Sequence, residues 1–238
     1  MNAQPSTLSD ILAPLDNQKH TAPGAIPTRP FNWAIIGAKG KGKTTVALNV
    51  LMKKESPLYR FFDLIFVISP TAKNDPKMLP LVEDVGGSQY YEALTNDVLL
   101  DIMKQCEEYC EKNKKKKKEP RFCVLYDDII HQIKSKNANL VTKFATQNRH
   151  MKITNIYLLQ KYKSFVPMIR SNLDCVTLFH NENEMEIESF CQELGNADKI
   201  RALYDFATAE PYSFLHINAY AQPTRYYKRF DEISWRKK

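Results

Sequence analysis

An α/β fold built on a mainly parallel sheet is predicted for this 238-residue chain by two patterns in its sequence. Short, nearly continuous apolar runs of strand length recur from Phe31 onward, and amphipathic stretches of helix length separate them. A strand apolar at every position has both faces covered, and helices between such strands supply the cover, giving a three-layer sandwich. The length suits one domain with appendages, and 43% apolar with 26% charged residues is ordinary for a globular chain with a sizeable core.

Residues 1–30 hold five of the 13 prolines and few large apolar side chains, so they read as a flexible arm ahead of a domain over 31–238. Within that arm Leu8, Ile11, Leu12 and Leu15 keep helical spacing behind a cap at Ser6 or Thr7. That spacing suits either a loosely packed tail or a short docking helix. Candidate strands follow at Trp33–Ile36, Leu64–Ser69, Phe122–Tyr126, Ile156–Leu159, Cys175–Phe179 and Phe214–Asn218. Candidate helices cover Thr44–Lys54, Asp97–Glu111, Leu140–Asn148, Glu184–Leu194 and Asp198–Phe206, the second with a buried stripe of Val98, Ile102, Cys106 and Tyr109. There is no internal repeat.

Several classes fall away on composition. Mean hydropathy is −0.45 and no apolar run nears 18 residues, so no membrane span is expected. The first ten residues carry no secretory signal. Five cysteines without a CxxC pair argue against a disulfide scaffold and for a reducing compartment. The net charge of +7 owes six charges to Lys112 and Lys114–Lys118, without which the chain sits near +1. That run is either a solvated loop or a contact for a nucleic-acid backbone. A smaller basic cluster lies near the C-terminus.

One motif carries chemistry outright. Gly37-Ala38-Lys39-Gly40-Lys41-Gly42-Lys43-Thr44 fits G-x-x-x-x-G-K-[ST], with a candidate strand before it and a candidate helix, opening at Thr44-Thr45, after it. Glycines let successive N–H groups turn inward around phosphate oxygens, and the helix N-terminus adds its dipole. Lys43 is expected to reach the β- and γ-phosphates of ATP and Thr44 to ligate Mg²⁺; the backbone from Gly37 to Thr45 forms the cradle.

Such a loop needs a carboxylate for the metal at a neighbouring strand tip, and Phe122-Cys123-Val124-Leu125-Tyr126-Asp127-Asp128 offers two. Asp127 is expected beside Mg²⁺, and Asp128 as the base that polarises the attacking water. An extra strand between these motifs points to the division of phosphate-loop NTPases in which another strand separates loop from acids. Ile156–Leu159 suits that place and puts Gln160 at the γ-phosphate as a sensor. Counting the first five candidate strands in chain order, the expected core order is 5-1-4-3-2, with further strands added at the C-terminal side.

The loop GAKGKGKTT, the strand FCVLYDD, and Arg149-His150-Met151-Lys152-Ile153-Thr154 leading to YLLQ resemble the viral DNA-packaging ATPases, the poxvirus-type members of the FtsK/HerA superfamily. The resemblance spans Phe31 to Asn218. It implies a homo-oligomeric ring, a pentamer or hexamer, that moves double-stranded DNA into a preformed capsid using ATP. It implies partners at the capsid or its portal region and a place in the host cytoplasm, in the viral factory or with the virion. Arg149 matches the arginine that in the family acts across the subunit boundary, where a planar, always-charged donor serves best. Asp128 departs from the Glu usual in the wider superfamily.

Other residues give blander readings. Cys106 and Cys110 share a helical face with no third ligand, and His131, His150 and His180 lack metal-motif spacing. The aromatic segment Tyr204–Phe230 suits either the stacking of bases or, as its helix and strand spacing favours, core packing. Two other functions share the loop: a small-molecule or nucleoside kinase, which needs a mobile basic lid not evident here, and a nucleotide-gated assembly factor without sustained turnover.

Overall fold

The computed structural model describes residues 24–129, 132–133 and 138–234. In chain order it runs β1 (Asn32–Ile36), α1 (Lys43–Met52), β2 (Leu64–Ile68), α2 (Leu79–Val85), β3 (Tyr90–Tyr91), α3 (Asn96–Lys112) and β4 (Phe122–Asp127). Then come α4 (Ala138–Thr146), α5 (Asn148–Met151), β5 (Ile153–Leu159), α6 (Pro167–Arg170), β6 (Cys175–Phe179), α7 (Glu184–Glu193) and α8 (Ala197–Thr208). Strands β7 (Phe214–Asn218), β8 (Arg225–Lys228) and β9 (Asp231–Ile233) close the described chain.

The nine strands form one sheet in the order β3-β2-β4-β5-β1-β6-β7-β8-β9. From β3 to β6 every pairing is parallel, and β7 to β9 add antiparallel strands at one side. Taken from β6 to β2, this is the expected 5-1-4-3-2 core, with β5 inserted between β1 and β4. Successive residues of β4 feed opposite faces: Phe122, Val124 and Tyr126 pack with α3, α4, α7 and α8, while Cys123 and Leu125 pack with α1 and α2. That two-sided burial is what a continuous apolar run encodes.

Helix ends follow local chemistry. Thr95 Oγ1 accepts the Val98 N–H at 3.2 Å, Asn183 Oδ1 that of Glu186 at 3.3 Å, and Asn196 Oδ1 that of Lys199 at 3.0 Å. On α3 the buried stripe is Leu99, Ile102 and Cys106, with Val98 and Tyr109 partly buried against the same cluster.

The expected arm needs a boundary correction. Residues 24–30 are described, and Ala25 and Ile26 are buried at 0% and 4% exposure. His216 Nε2 donates to Ala25 O at 2.8 Å, and Asn218 Nδ2 donates to Gly24 O. Packing therefore begins ahead of Phe31. The helical spacing from Leu8 to Leu15, and His131, lie outside the described residues.

Candidate nucleotide site

Parallel strands end together, so β2, β4, β5, β1 and β6 present their C-terminal residues along one edge of the sheet. Gly37 leaves β1 there, its N–H donating to Leu159 O of β5 at 3.0 Å. A Cβ at Gly37 would lie 2.8 Å from Phe179 Cβ, so only glycine allows the loop to sit this close to β6. At Gly42 the backbone turns at φ 106° to start α1, a conformation other L-residues rarely adopt. The loop's remaining residues, Ala38, Lys39, Gly40 and Lys41, cross the surface between these two fixed points.

Lys43 opens α1, and its Nζ donates to Ala38 O at 3.1 Å. Burial lowers the ammonium's pKa, and the carboxylates of Asp127 and Asp128 work against that. Thr44 is half-buried, whereas Thr45 is 1% exposed and belongs to the packed side of the helix.

Asp127 ends β4, with Oδ2 accepting from Ser69 Oγ at 3.0 Å. Burial pushes its carboxyl above the ordinary range; the Ser69 hydroxyl pulls it back, Asp128 raises it further and Lys43 lowers it. Asp128 leaves the strand at φ 51°, in the left-handed region and exposed. Strain of this kind in a non-glycine residue concentrates at functional sites. Gln160, one residue past β5, donates from Nε2 to Asp128 Oδ1 at 3.2 Å.

Lys43, Asp127, Asp128 and Gln160 are thus brought to one edge; Arg149 is not. It lies in α5 ahead of β5, at the opposite edge, with Nη2 3.4 Å from Asp174 Oδ1 and its guanidinium 5.4 Å from the Tyr220 ring centre. The seven residues of β5 put roughly 20 Å between the two edges. The side chain is 63% exposed.

Sequence reading passes over Ser69, taken only as the last residue of a strand. The signal is a hydroxyl closing one apolar run beside another that closes in aspartates. Among the described residues no group of three or more His, Cys, Asp or Glu could hold a metal ion. A Mg²⁺ site needs no such cage, because this ion keeps several waters and takes one or two protein oxygens plus phosphates. The hard oxygens of Thr44 and Asp127 fit that requirement. No described helix is long and apolar enough to cross a membrane.

A glycine loop closing on a lysine at a helix N-terminus, facing acids from the next strand but one, defines a phosphate-loop NTPase. The chain belongs to the poxvirus A32 protein family, whose model matches residues 20–203. No curated protein sequence matches it. Among solved structures it is similar to the genome-packaging NTPase B204 of Sulfolobus turreted icosahedral virus 2 in complex with AMPPCP, with TM-score 0.59 at 15% identity over 85% of this chain and 99% of that one. It is similar also to B204, the DNA-packaging ATPase of Sulfolobus turreted icosahedral virus, with TM-score 0.57 at 18% identity over 84% and 98% of the two chains. These likenesses carry the fold.

Proposed function

We propose that this chain is a viral genome-packaging ATPase, which couples ATP hydrolysis to the movement of double-stranded DNA into a capsid. Membership of the A32 family supports the packaging role. The observation that carries the chemistry is the meeting of Lys43, Asp127, Asp128 and Gln160 at the mouth of the glycine loop.

In this reading the loop N–H groups and Lys43 hold the phosphates and offset the charge that gathers on them as the terminal bond breaks. Thr44 and Asp127 would hold Mg²⁺, which supplies positive charge to the phosphate oxygens. Asp128, exposed and turned out of the strand, orients the attacking water and takes its proton. Gln160, hydrogen-bonded to Asp128, senses whether a terminal phosphate is present. Arg149 lies at the wrong edge to serve its own loop and acts on the neighbour's nucleotide in a ring of five or six copies. Capsid or portal proteins and the cytoplasm of the infected host complete the setting.

The test is multiple-turnover ATP hydrolysis with and without duplex DNA, for the wild type and Lys43→Ala. Expected is sustained, DNA-stimulated turnover that Lys43→Ala abolishes while keeping the wild-type circular dichroism spectrum. Wild-type activity in a folded Lys43→Ala protein would overturn the nucleotide site. A single round of hydrolysis indifferent to DNA would overturn the motor.

A further inference from the structure

Along the site's edge the carboxylates and Gln160 come from β4 and β5, on one side of β1. A triphosphate lying in the loop with its last phosphate toward them directs its base to the other side of β1, where β6 ends and β7 begins. Phe214 of β7 pairs with Phe179 of β6, so the turn before β7 reaches the same edge as the loop. That turn carries Tyr212. A Cβ at Gly42 would lie 3.9 Å from Tyr212 Cδ1 and 3.5 Å from Phe179 Cε1, so both rings flank the residue ahead of Lys43.

The two rings differ in access. Phe179 is 3% exposed and lies beneath the loop, whereas Tyr212 is 38% exposed. Four of the eight Phe and Tyr residues from Tyr204 to Phe230 are core, with Tyr204, Phe214, Tyr227 and Phe230 each 2% exposed or less; Tyr220 and Tyr226 are half-buried, and exposed Phe206 lies under Lys228 Nζ on α8. Tyr212 also stands at φ 59°, a conformation costly for a bulky residue, so packing alone does not account for it. The turn is held in place: the Ser213 N–H donates to Glu210 O at 3.1 Å, and Lys228 Nζ lies 2.6 Å from Glu210 Oε1. Arg229 adds its guanidinium 3.8 Å from the same carboxylate, and its N–H donates to Phe214 O at 2.8 Å. An exposed aromatic ring on a fixed, strained turn beside a phosphate loop is suited to stack a planar base.

We infer that Tyr212 is the platform on which the nucleobase of the bound nucleoside triphosphate stacks. This rests on the nucleotide-site reading above and deepens it. Stacking reads ring area rather than hydrogen-bond pattern, so the site takes purine nucleotides better than pyrimidine ones, with weak discrimination between ATP and GTP.

The experiment compares dissociation constants of full-length wild type, Tyr212→Gly and Tyr212→Phe for ATP, CTP and inorganic tripolyphosphate, with Mg²⁺ throughout. Glycine removes the ring and also relieves the positive φ, so loss of fold is not expected; phenylalanine keeps the ring. Expected is wild-type ATP affinity exceeding that for tripolyphosphate by about tenfold or more, the scale of base–aromatic stacking. Tyr212→Gly should erase most of that excess and the ATP-over-CTP preference, leaving tripolyphosphate binding unchanged, while Tyr212→Phe retains both. An unchanged ATP-to-tripolyphosphate ratio in Tyr212→Gly overturns the inference, whether both affinities hold or fall together. Absence of tripolyphosphate and ATP binding by the wild type would instead overturn the nucleotide site, and this inference with it.

Discussion

Asp127 ends its strand on the Ser69 hydroxyl, whereas Asp128 has left the ladder at φ 51° and meets only Gln160 among these partners. The two neighbours should therefore fail differently. Asp128→Asn is expected to bind Mg-ATP normally and lose about 10²-fold or more in kcat, the scale of a general base. Asp127→Asn should weaken Mg²⁺-dependent nucleotide binding itself, with Ser69→Ala a milder version. Equal losses of affinity in both aspartate variants, in titrations with and without Mg²⁺, would mean the roles are divided wrongly. The raised Asp127 pKa gives a second expectation for the protein without nucleotide. A carboxyl whose folded pKa lies above its unfolded value of about 3.8 binds its proton more tightly when folded. Stability then falls as pH rises through that window, and the full cost is present above it. Asp127→Asn should raise the melting temperature at pH 7 and lose the advantage below the ordinary aspartate range.

At the scale of elements, three strands and the N-terminal segment share one buried polar chain. Trp33 Nε1 donates to Thr177 Oγ1 at 2.9 Å, the Thr177 hydroxyl donates to His216 Nδ1 at 2.8 Å, and His216 Nε2 donates to Ala25 O. Carbonyl oxygen only accepts, so Nε2 carries a proton, and full burial keeps the imidazole neutral with Nδ1 as acceptor. Burial drives its pKa down to about 4 from 6.5. The unfolded chain takes up a proton through 6.5 while the folded one does not, so stability present above that value is lost as pH falls toward 4. The loss is on the order of 3 kcal/mol for such a shift. Denaturant titrations from about pH 7 to 4 should show it, and His216→Gln should flatten the slope by about one proton; an unchanged slope would remove His216 from the account. The elements that sequence periodicity missed are the short ones. Strand β3 has two residues, α5 and α6 four each and α2 seven, less than two full turns of helix or one repeat of a strand, too few for a pattern to recur.

Over the whole molecule the proposed nucleotide site and the residues proposed to meet a neighbouring copy or DNA lie at opposite edges of one sheet. The nucleotide loop lies at the C-terminal edge. Arg149 and the lysine-rich turn ahead of β4 lie at the other, where Lys114, Lys116, Lys117, Lys118 and Lys152 line a recess of about 470 Å³ with Tyr109 and Asp63. Such an arrangement suits stacking of one copy's arginine edge on the next copy's loop. Arg149 is largely exposed, and its half-buried partner Asp174 keeps the Asn32 N–H at 2.9 Å when the guanidinium is removed, so Arg149→Ala should fold and bind ATP normally. It should hydrolyse about 10³-fold more slowly, poison wild-type subunits on mixing, and regain some activity when mixed with Lys43→Ala. Full DNA-stimulated turnover of Arg149→Ala, or full activity in a demonstrated monomer, would sink a role in trans. In the lysine run, Lys112 pairs with Glu108 and Lys114 with Glu111, while Lys115, Lys117 and Lys118 have no ion pair among the described residues. Neutralising those three should flatten the salt dependence of DNA binding, by about 0.9 in log–log slope for each DNA phosphate that a lysine had neutralised. An unchanged slope would make the run a solvated loop.

Much of this was legible in the residues because it is local or periodic. A both-face-buried strand must be apolar throughout, a phosphate cradle must be glycine-rich and end in lysine at a helix start, and the metal carboxylate must close an apolar run. Those constraints named the sheet and its core order without coordinates, and made Lys43, Thr44 and Asp127 the candidate residues of the proposed site. What tertiary structure alone decided is who meets whom across the chain. Ser69 stands 58 residues from Asp127 and no spacing rule links them; the expected strand order brought Gln160 near the acids, but only the fold set its bond to Asp128 across 32 residues. The start of packing at Gly24 and Ala25 depends on Asn218 and His216, 194 and 191 residues away. Within the aromatic segment only the fold separates Tyr212 from its core neighbours, because the antiparallel turn into β7 carries it to the rim beside Gly42. Sequence patterns record what each segment buries, and contacts between distant segments are set by how the sheet orders its strands.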